Sequence, residues 1–250
     1  MGVLSLAAAT GRRLCLLGAG NCNDVDLQNL SSRFAEVHLV DIDGDALERA
    51  ISRQPHEENV VLHPLVDLRR SARAKESRAD MGREMRQSQI PGQFDVVVSL
   101  CVLTQLIGQA LSVAKDGDGI TQALAVRDEH LLALAELTRR GGKAILITDF
   151  VASDSCPEIT TTNSLTRLAD EILLSGNFFI GTHPEDLVRV VQESHSLSSL
   201  ISGVEVIRPW IWSFSQARSY LTYALVLERG RPNQLSRDTS PGRERRLRTR

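Results

Sequence analysis

The chain has 250 residues, 42% of them hydrophobic and 24% charged, an ordinary globular balance that can bury a core without disulfides or metals. Its net charge of −2 excludes a global electrostatic pull toward nucleic acid or an anionic membrane. No apolar run approaches the ~20 residues needed to span a bilayer, and four cysteines without a C-x-x-C pair point to neither a zinc site nor a disulfide framework, so a reducing cytoplasm fits best.

In the first ten residues a mildly apolar stretch precedes Arg12 and Arg13, the wrong order for a secretory signal. Arg13–Leu17 (RLCLL) is a short apolar run that meets Gly18-Ala19-Gly20, which predicts a buried strand entering a tight turn. Residues 24–34 place Val25, Leu27, Leu30 and Phe34 at helical spacing. A second strand is predicted over 37–40, a helix over 45–52, and a weaker strand over 59–62 followed by Asp67. Residues 68–89 are polar and Arg-rich and read as a solvated helix. Phe94–Leu100 (FDVVVSL) is β-branched, continuous and introduced by Pro91-Gly92, the strongest strand signal in the chain.

A helix over 102–113, a loop over 115–119 and an amphipathic helix over 124–140 come next, the last stopped by Gly141-Gly142. Residues 143–150 (KAILITDF) form the fifth predicted strand. Residues 151–202 are helical and irregular, with helices over 163–174 and 183–192 and Pro184 at a first helical position. The final strands, over 203–207 and 220–228, are joined by too few residues for a helical crossover and so must run antiparallel. Strands alternating with helices predict an α/β fold, a Rossmann-like three-layer sandwich with a mostly parallel seven-stranded sheet and one antiparallel strand at its end. Residues 1–229 then make one domain. Residues 229–250 hold eight arginines against Asp238 and Glu244, a local charge of +6 that leaves −8 for the rest. The tail from 230 lacks core residues and is expected to be disordered and solvated rather than a phosphate-tracking arm.

In an open α/β sheet, ligands bind beyond the carboxyl ends of the strands. After the first strand stand Gly18, Ala19, Gly20 and Asn21, where glycine allows a sharp turn and a close backbone approach. After the second stands Asp41, 23 positions beyond Gly18, the spacing at which a carboxylate receives ribose hydroxyls. Asp43 suits a helix cap better. A dinucleotide such as NAD is the alternative cofactor, but its fingerprint needs a third glycine where Asn23 stands.

Taken together, Gly18-Ala19-Gly20, Asp41, Asp67, FDVVVSL, the Gly-Gly turn before KAILITD and the closing hairpin resemble the class I S-adenosylmethionine (SAM)-dependent methyltransferases across roughly residues 12–228. The resemblance implies SAM as cofactor. Gly18, Ala19, Gly20 and Asn21 would then hold its amino-acid part, Asp41 the ribose, Ile42 and Asp67 the adenine, while Ser99 and Leu100 would border the methionine and the acceptor. Residues 151–202 would be a helical insertion on the substrate side, with Phe179 a candidate to close over the acceptor. Two positions depart from the family pattern: Leu16 replaces a common acid, and Cys22 the third glycine. Asn21 or Asp24 would then hold the cofactor's amino group. These departures keep open a non-catalytic binding protein on the same scaffold.

Methyl transfer depends mainly on alignment, and a base is needed only for a protonated acceptor. Asp149, at the end of the fifth strand, is the candidate base or acceptor-orienting group, with helix capping as its structural alternative. No Asn-Pro-Pro-Tyr-like run and no Pro-Cys pair follows the fourth strand, so nucleic-acid bases are not the expected acceptor. A small molecule or a protein side chain is expected instead. Trp210 and Trp212 read first as hairpin packing and second as part of an acceptor pocket. No metal site is expected.

Overall fold

The computed structural model describes residues 11–68, 90–114 and 117–231. The solvated helix expected over 68–89 and the tail from 232 therefore lie outside the described residues, Leu68 apart. Seven strands form one sheet in the order β3-β2-β1-β4-β5-β7-β6. They are β1 Arg13–Leu17, β2 Glu36–Val40, β3 Val60–His63, β4 Phe94–Leu100, β5 Thr138–Ala152, β6 Ile201–Ser213 and β7 Ser219–Arg229. β1 through β5 pair in parallel, and β7 pairs antiparallel with both β5 and β6. This is the predicted sheet, with β7 as its single reversed strand.

The helices are α1 Leu27–Arg33, α2 Gly44–Arg53, α3 Leu103–Val113, α4 Gly119–Leu137, α5 Leu165–Ser175, α6 Pro184–Glu193 and the single turn α7 His195–Ser198. Strand residues alternate between two cores. Leu14 and Leu16 of β1 join Leu27 and Leu30 of α1 and Leu47 of α2 on one face. Cys15 and Leu17 join the apolar sides of α3 through α7 on the other. α1 is shorter than its hydrophobic spacing predicts, because Asp26 caps it by accepting from Asn29 N at 3.0 Å.

α4 also ends earlier than predicted. Thr138 Oγ1 donates to Leu134 O at 2.8 Å, and Thr138 already pairs with Phe94 in the sheet. The chain is in strand before it reaches Gly141-Gly142, held there in part by Arg139, which pairs with the Asp95 carboxylate. That carboxylate also accepts from the backbone N–H groups of Arg12 and Arg13 at 2.9 and 2.8 Å. Burial pushes the Asp95 pKa up, but these hydrogen bonds outweigh it and hold the group below the usual carboxylate range.

Residues 151–202 do not lie over the carboxyl ends of β1 and β2. The apolar stripes of α5 and α6, with Leu168, Ile172, Leu187 and Val191, pack into the α3–α4 face of the sheet. No residue of the segment is among those that line the cavity beyond the carboxyl ends of the strands. Among the described residues no helix is long and apolar enough to cross a membrane.

Candidate functional site

A cavity of about 1050 Å³ opens beyond the carboxyl ends of β1, β2 and β4 and extends over the β5–β7–β6 end of the sheet. One side is built by the turn after β1. Gly18 N and Ala19 N both donate to Val40 O, at 2.9 and 3.2 Å, which draws the turn toward β2. Gly18 has φ +71, and a Cβ there would stand 2.2 Å from Val102 Cγ2, so the close approach of the β1 and β4 ends requires glycine. Gly20 has φ +50 and open space where its Cβ would be.

Asp41, at the end of β2, is fixed against this turn. Its Oδ2 accepts from Gly20 N at 2.8 Å and its Oδ1 from Asp43 N at 2.9 Å. Each carboxylate oxygen keeps lone-pair capacity for a further donor. Asp43 is the helix cap, accepting from Ala46 N at 2.9 Å. Gly18, Ala19, Gly20, Asn21 and Asp41 line the cavity together. Ile42, 47% exposed, and Asp67 line its rim, and Leu100 lines the β4 side. Asn21 Oδ1 is engaged by Arg49 Nε at 3.0 Å, and Asp24 Oδ2 accepts from Trp212 Nε1 at 2.7 Å.

Ser99 stands elsewhere. It is fully buried on the opposite sheet face, where its Oγ lies 2.8 Å from His130 Nε2. The period-two alternation of β4 points Leu100 to the cavity and Ser99 away from it. Asp149 is not part of the cavity lining either. It is buried beside Ile147 and Thr222, which do line the cavity, and accepts from Thr104 Oγ1 at 2.9 Å. Burial raises its pKa, opposed by the Thr104 hydrogen bond. Phe179 faces Tyr220 and lies outside the lining.

Three non-glycine residues among those described have positive φ: Cys22 at 51, Leu65 at 62 and Cys101 at 51. Cys22 and Cys101 line the cavity, and Leu65 immediately precedes its Val66. Backbone strain of this kind concentrates at ligand sites. Burial disfavours the thiolate of both. Burial, then the nearby Asp41 charge, pushes Cys22 up to about 12, and burial followed by Asp149 raises Cys101 further. Leu16 is fully buried and the Cys22 side chain is 2% exposed, so neither departure from the glycine-rich pattern fills the cradle.

The far wall comes from β6 and β7. Ile207, Trp210, Trp212, Phe214 and Thr222 complete the cavity, brought there by strand pairing that no local motif encodes. Among the described residues no group of three or more His, Cys, Asp and Glu is arranged to hold a metal ion.

In sequence the chain matches no protein-family model and no curated protein. In structure it is similar to the YcgJ protein from Bacillus subtilis, with a TM-score of 0.50 and 12% identity over 92% of this chain and 97% of that one. It is also similar to the N-methyltransferase NodS from Bradyrhizobium japonicum in complex with S-adenosyl-L-homocysteine (TM-score 0.48, 13% identity, 90% and 82% covered). A TehB-like SAM-dependent methyltransferase from Corynebacterium glutamicum has a TM-score of 0.43 at 14% identity, with 91% and 85% covered. The strand order with its reversed β7, together with the likeness to YcgJ, gives the chain a Rossmann-like α/β fold with a seven-stranded sheet, the fold that the resemblance to class I SAM-dependent methyltransferases implies.

Proposed function

We propose that this chain binds SAM in the cavity beyond β1 and β2 and transfers its methyl group to an acceptor held on the β5–β7–β6 side. The observation that carries the reading is the Gly20 N to Asp41 Oδ2 hydrogen bond, which sets a glycine cradle and a carboxylate side by side on one cavity wall. At Gly20 the cradle is open where a Cβ would stand, and Asp41 keeps acceptor capacity for the two ribose hydroxyls. Ile42 offers an exposed apolar side chain for the adenine. Asp24, with one oxygen on Trp212, faces the same cavity with its negative charge and suits the cofactor's ammonium group.

The cofactor supplies a methyl group already activated by a sulfonium. The protein's task is then to align the acceptor and exclude water. Leu100, Val102 and Ile147 give that end an apolar lining. Burial raises the Asp149 pKa, the direction a general base needs, but Asp149 does not line the cavity. Its place under the floor also favours a second reading, a binding protein on this scaffold without turnover.

Titration calorimetry with SAM and S-adenosyl-L-homocysteine tests the first reading. Micromolar binding is expected, weakened about tenfold or more by Asp41→Ala, a loss of ~1.4 kcal/mol or greater. Absence of binding by the intact chain overturns it. Binding by both ligands with no methyl loss in the presence of a broad acceptor panel selects the second.

A further inference from the structure

The wall across the cavity from Asp41 is aromatic, and a local irregularity makes it so. Strict alternation along β6 would send Ile207 to one face and Trp210 and Trp212 to the other. The pairing differs: Ile207 stands opposite Ala224 and Trp210 opposite Thr222, so three steps on β6 match two on β7. A β-bulge at Arg208 and Pro209 absorbs the extra residue, and a proline without an N–H suits that position. Ile207, Trp210 and Trp212 thereby share the cavity face.

The wall is set before any ligand arrives. Trp212 donates its indole N–H to Asp24 Oδ2 at 2.7 Å. Its ring stacks on Tyr220 with centroids 5.5 Å apart and planes 27° apart, and Phe214 meets it edge-on at 5.5 Å. A rigid aromatic surface holds a flat ring with little loss of side-chain freedom.

Charge narrows the ligand further. Among the described residues that line the cavity there is no Lys, Arg or His, while Asp24, Asp41 and Asp67 are acidic. None of these described residues offers an anionic ligand a counter-charge. At the floor, Thr222 is 1% exposed, and its Oγ1 is buried without a hydrogen-bond partner. It lies between Trp210 on β6 and Asp149 on β5 in the pairing register. Buried hydroxyls are normally paired, and this one belongs to a residue that lines the cavity. The volume of about 1050 Å³ sits at the upper end of what one drug-sized ligand fills, which leaves room for a second molecule beside a cofactor.

We infer that Trp210, Trp212 and Thr222 form an acceptor subsite for a neutral, planar aromatic small molecule carrying one hydroxyl or N–H group. Its ring lies against the indoles and its polar group pairs at the Thr222 floor. The acceptor role rests on the cofactor reading above; the aromatic subsite rests on β6 and β7.

Trp210 and Trp212 are the only two tryptophans in the chain, so a ¹⁵N-labelled sample gives two indole signals, both from this wall. The probes are 2-naphthol, its saturated analogue decahydro-2-naphthol, and 2-naphthoate, each added to protein saturated with S-adenosyl-L-homocysteine. Both indole signals should shift with 2-naphthol, and the other two probes should bind about tenfold more weakly. Trp210→Ala and Thr222→Val should each weaken 2-naphthol about tenfold, with Trp210→Phe and Thr222→Ser restoring most of it. S-adenosyl-L-homocysteine binding by each variant reports that it is folded. Unmoved indole signals, equal or tighter binding of 2-naphthoate, or 2-naphthol affinity indifferent to Trp210→Ala overturns the subsite. If the homocysteine ligand binds and 2-naphthol does not, the subsite fails while the cofactor reading stands. If 2-naphthol shifts the indoles in protein that binds no homocysteine ligand, the cofactor reading fails and the aromatic subsite stands.

Discussion

Gly18 and Gly20 share a left-handed backbone and differ in what surrounds them. A side chain at Gly18 would collide with Val102, whereas one at Gly20 would meet nothing within 4 Å. Gly18→Ala is therefore expected to destabilise the fold by about 2–3 kcal/mol, combining overpacking with φ strain. Gly20→Ala should cost only about 1 kcal/mol, the strain of a left-handed alanine, and should weaken cofactor binding more than stability. Thermal melts and calorimetry on the two variants check this, and equal loss of stability in both would refute the assignment of their roles. Cys22 carries the same conformation at φ 51 without glycine's freedom; its thiol is buried in the α1–α2 core, which offsets the strain. That the glycine turn and Asp41 lie side by side was legible from their spacing, and the hydrogen bond between them runs from Gly20 N. The Trp212 to Asp24 bond was not, because its partners are 188 positions apart.

At the scale of elements, hydrophobic periodicity located every described strand and the longer helices, missed the single turn α7, and misjudged where several elements end. Hydrogen bonds to side chains decide those ends. Asp26 starts α1, Asp43 starts α2, and Thr138 closes α4. The bulge in β6 is the boundary effect with the largest consequence, since one extra residue reverses which face the following side chains occupy. Deleting Arg208 removes that residue. The expected result is that Trp210 and Trp212 turn from the cavity face, the Trp212 to Asp24 hydrogen bond is lost, and tryptophan emission shifts toward that of solvated indole. Unchanged emission, with the Trp212 indole signal still in its bonded position, would show that the bulge does not aim this wall.

Across the whole molecule, the two cores divide the work. Among the described residues the α3–α7 face carries most of the helical packing, and helices α1 and α2 cover the other face over its β1–β2 side, with the cavity at its β5–β7–β6 end. His130 is buried inside the heavily packed side, and burial lowers its pKa to about 4. Its folded pKa lies below the unfolded value near 6.5, so the unfolded chain binds more protons between the two. Stability from this group is complete above pH ~6.5 and declines as pH falls toward 4, by up to about 3 kcal/mol. Comparing melting temperatures of the native chain and His130→Gln from pH 7 to pH 4 tests this. The gap between them should change across that window and be constant above it.

Composition and periodicity by themselves determined the layer architecture, the reversed strand near the end of the sheet, and the placement of Asp41 beside the glycine turn, because these depend on local pattern and on the reach of short connections. The tertiary structure alone decided that Ser99 faces the core, that residues 151–202 pack away from the cavity, and that β6 supplies its aromatic wall. Each of those depends on which sheet face a side chain occupies. A single residue of register or one bulge sets that face, and neither has a signature in the sequence near it.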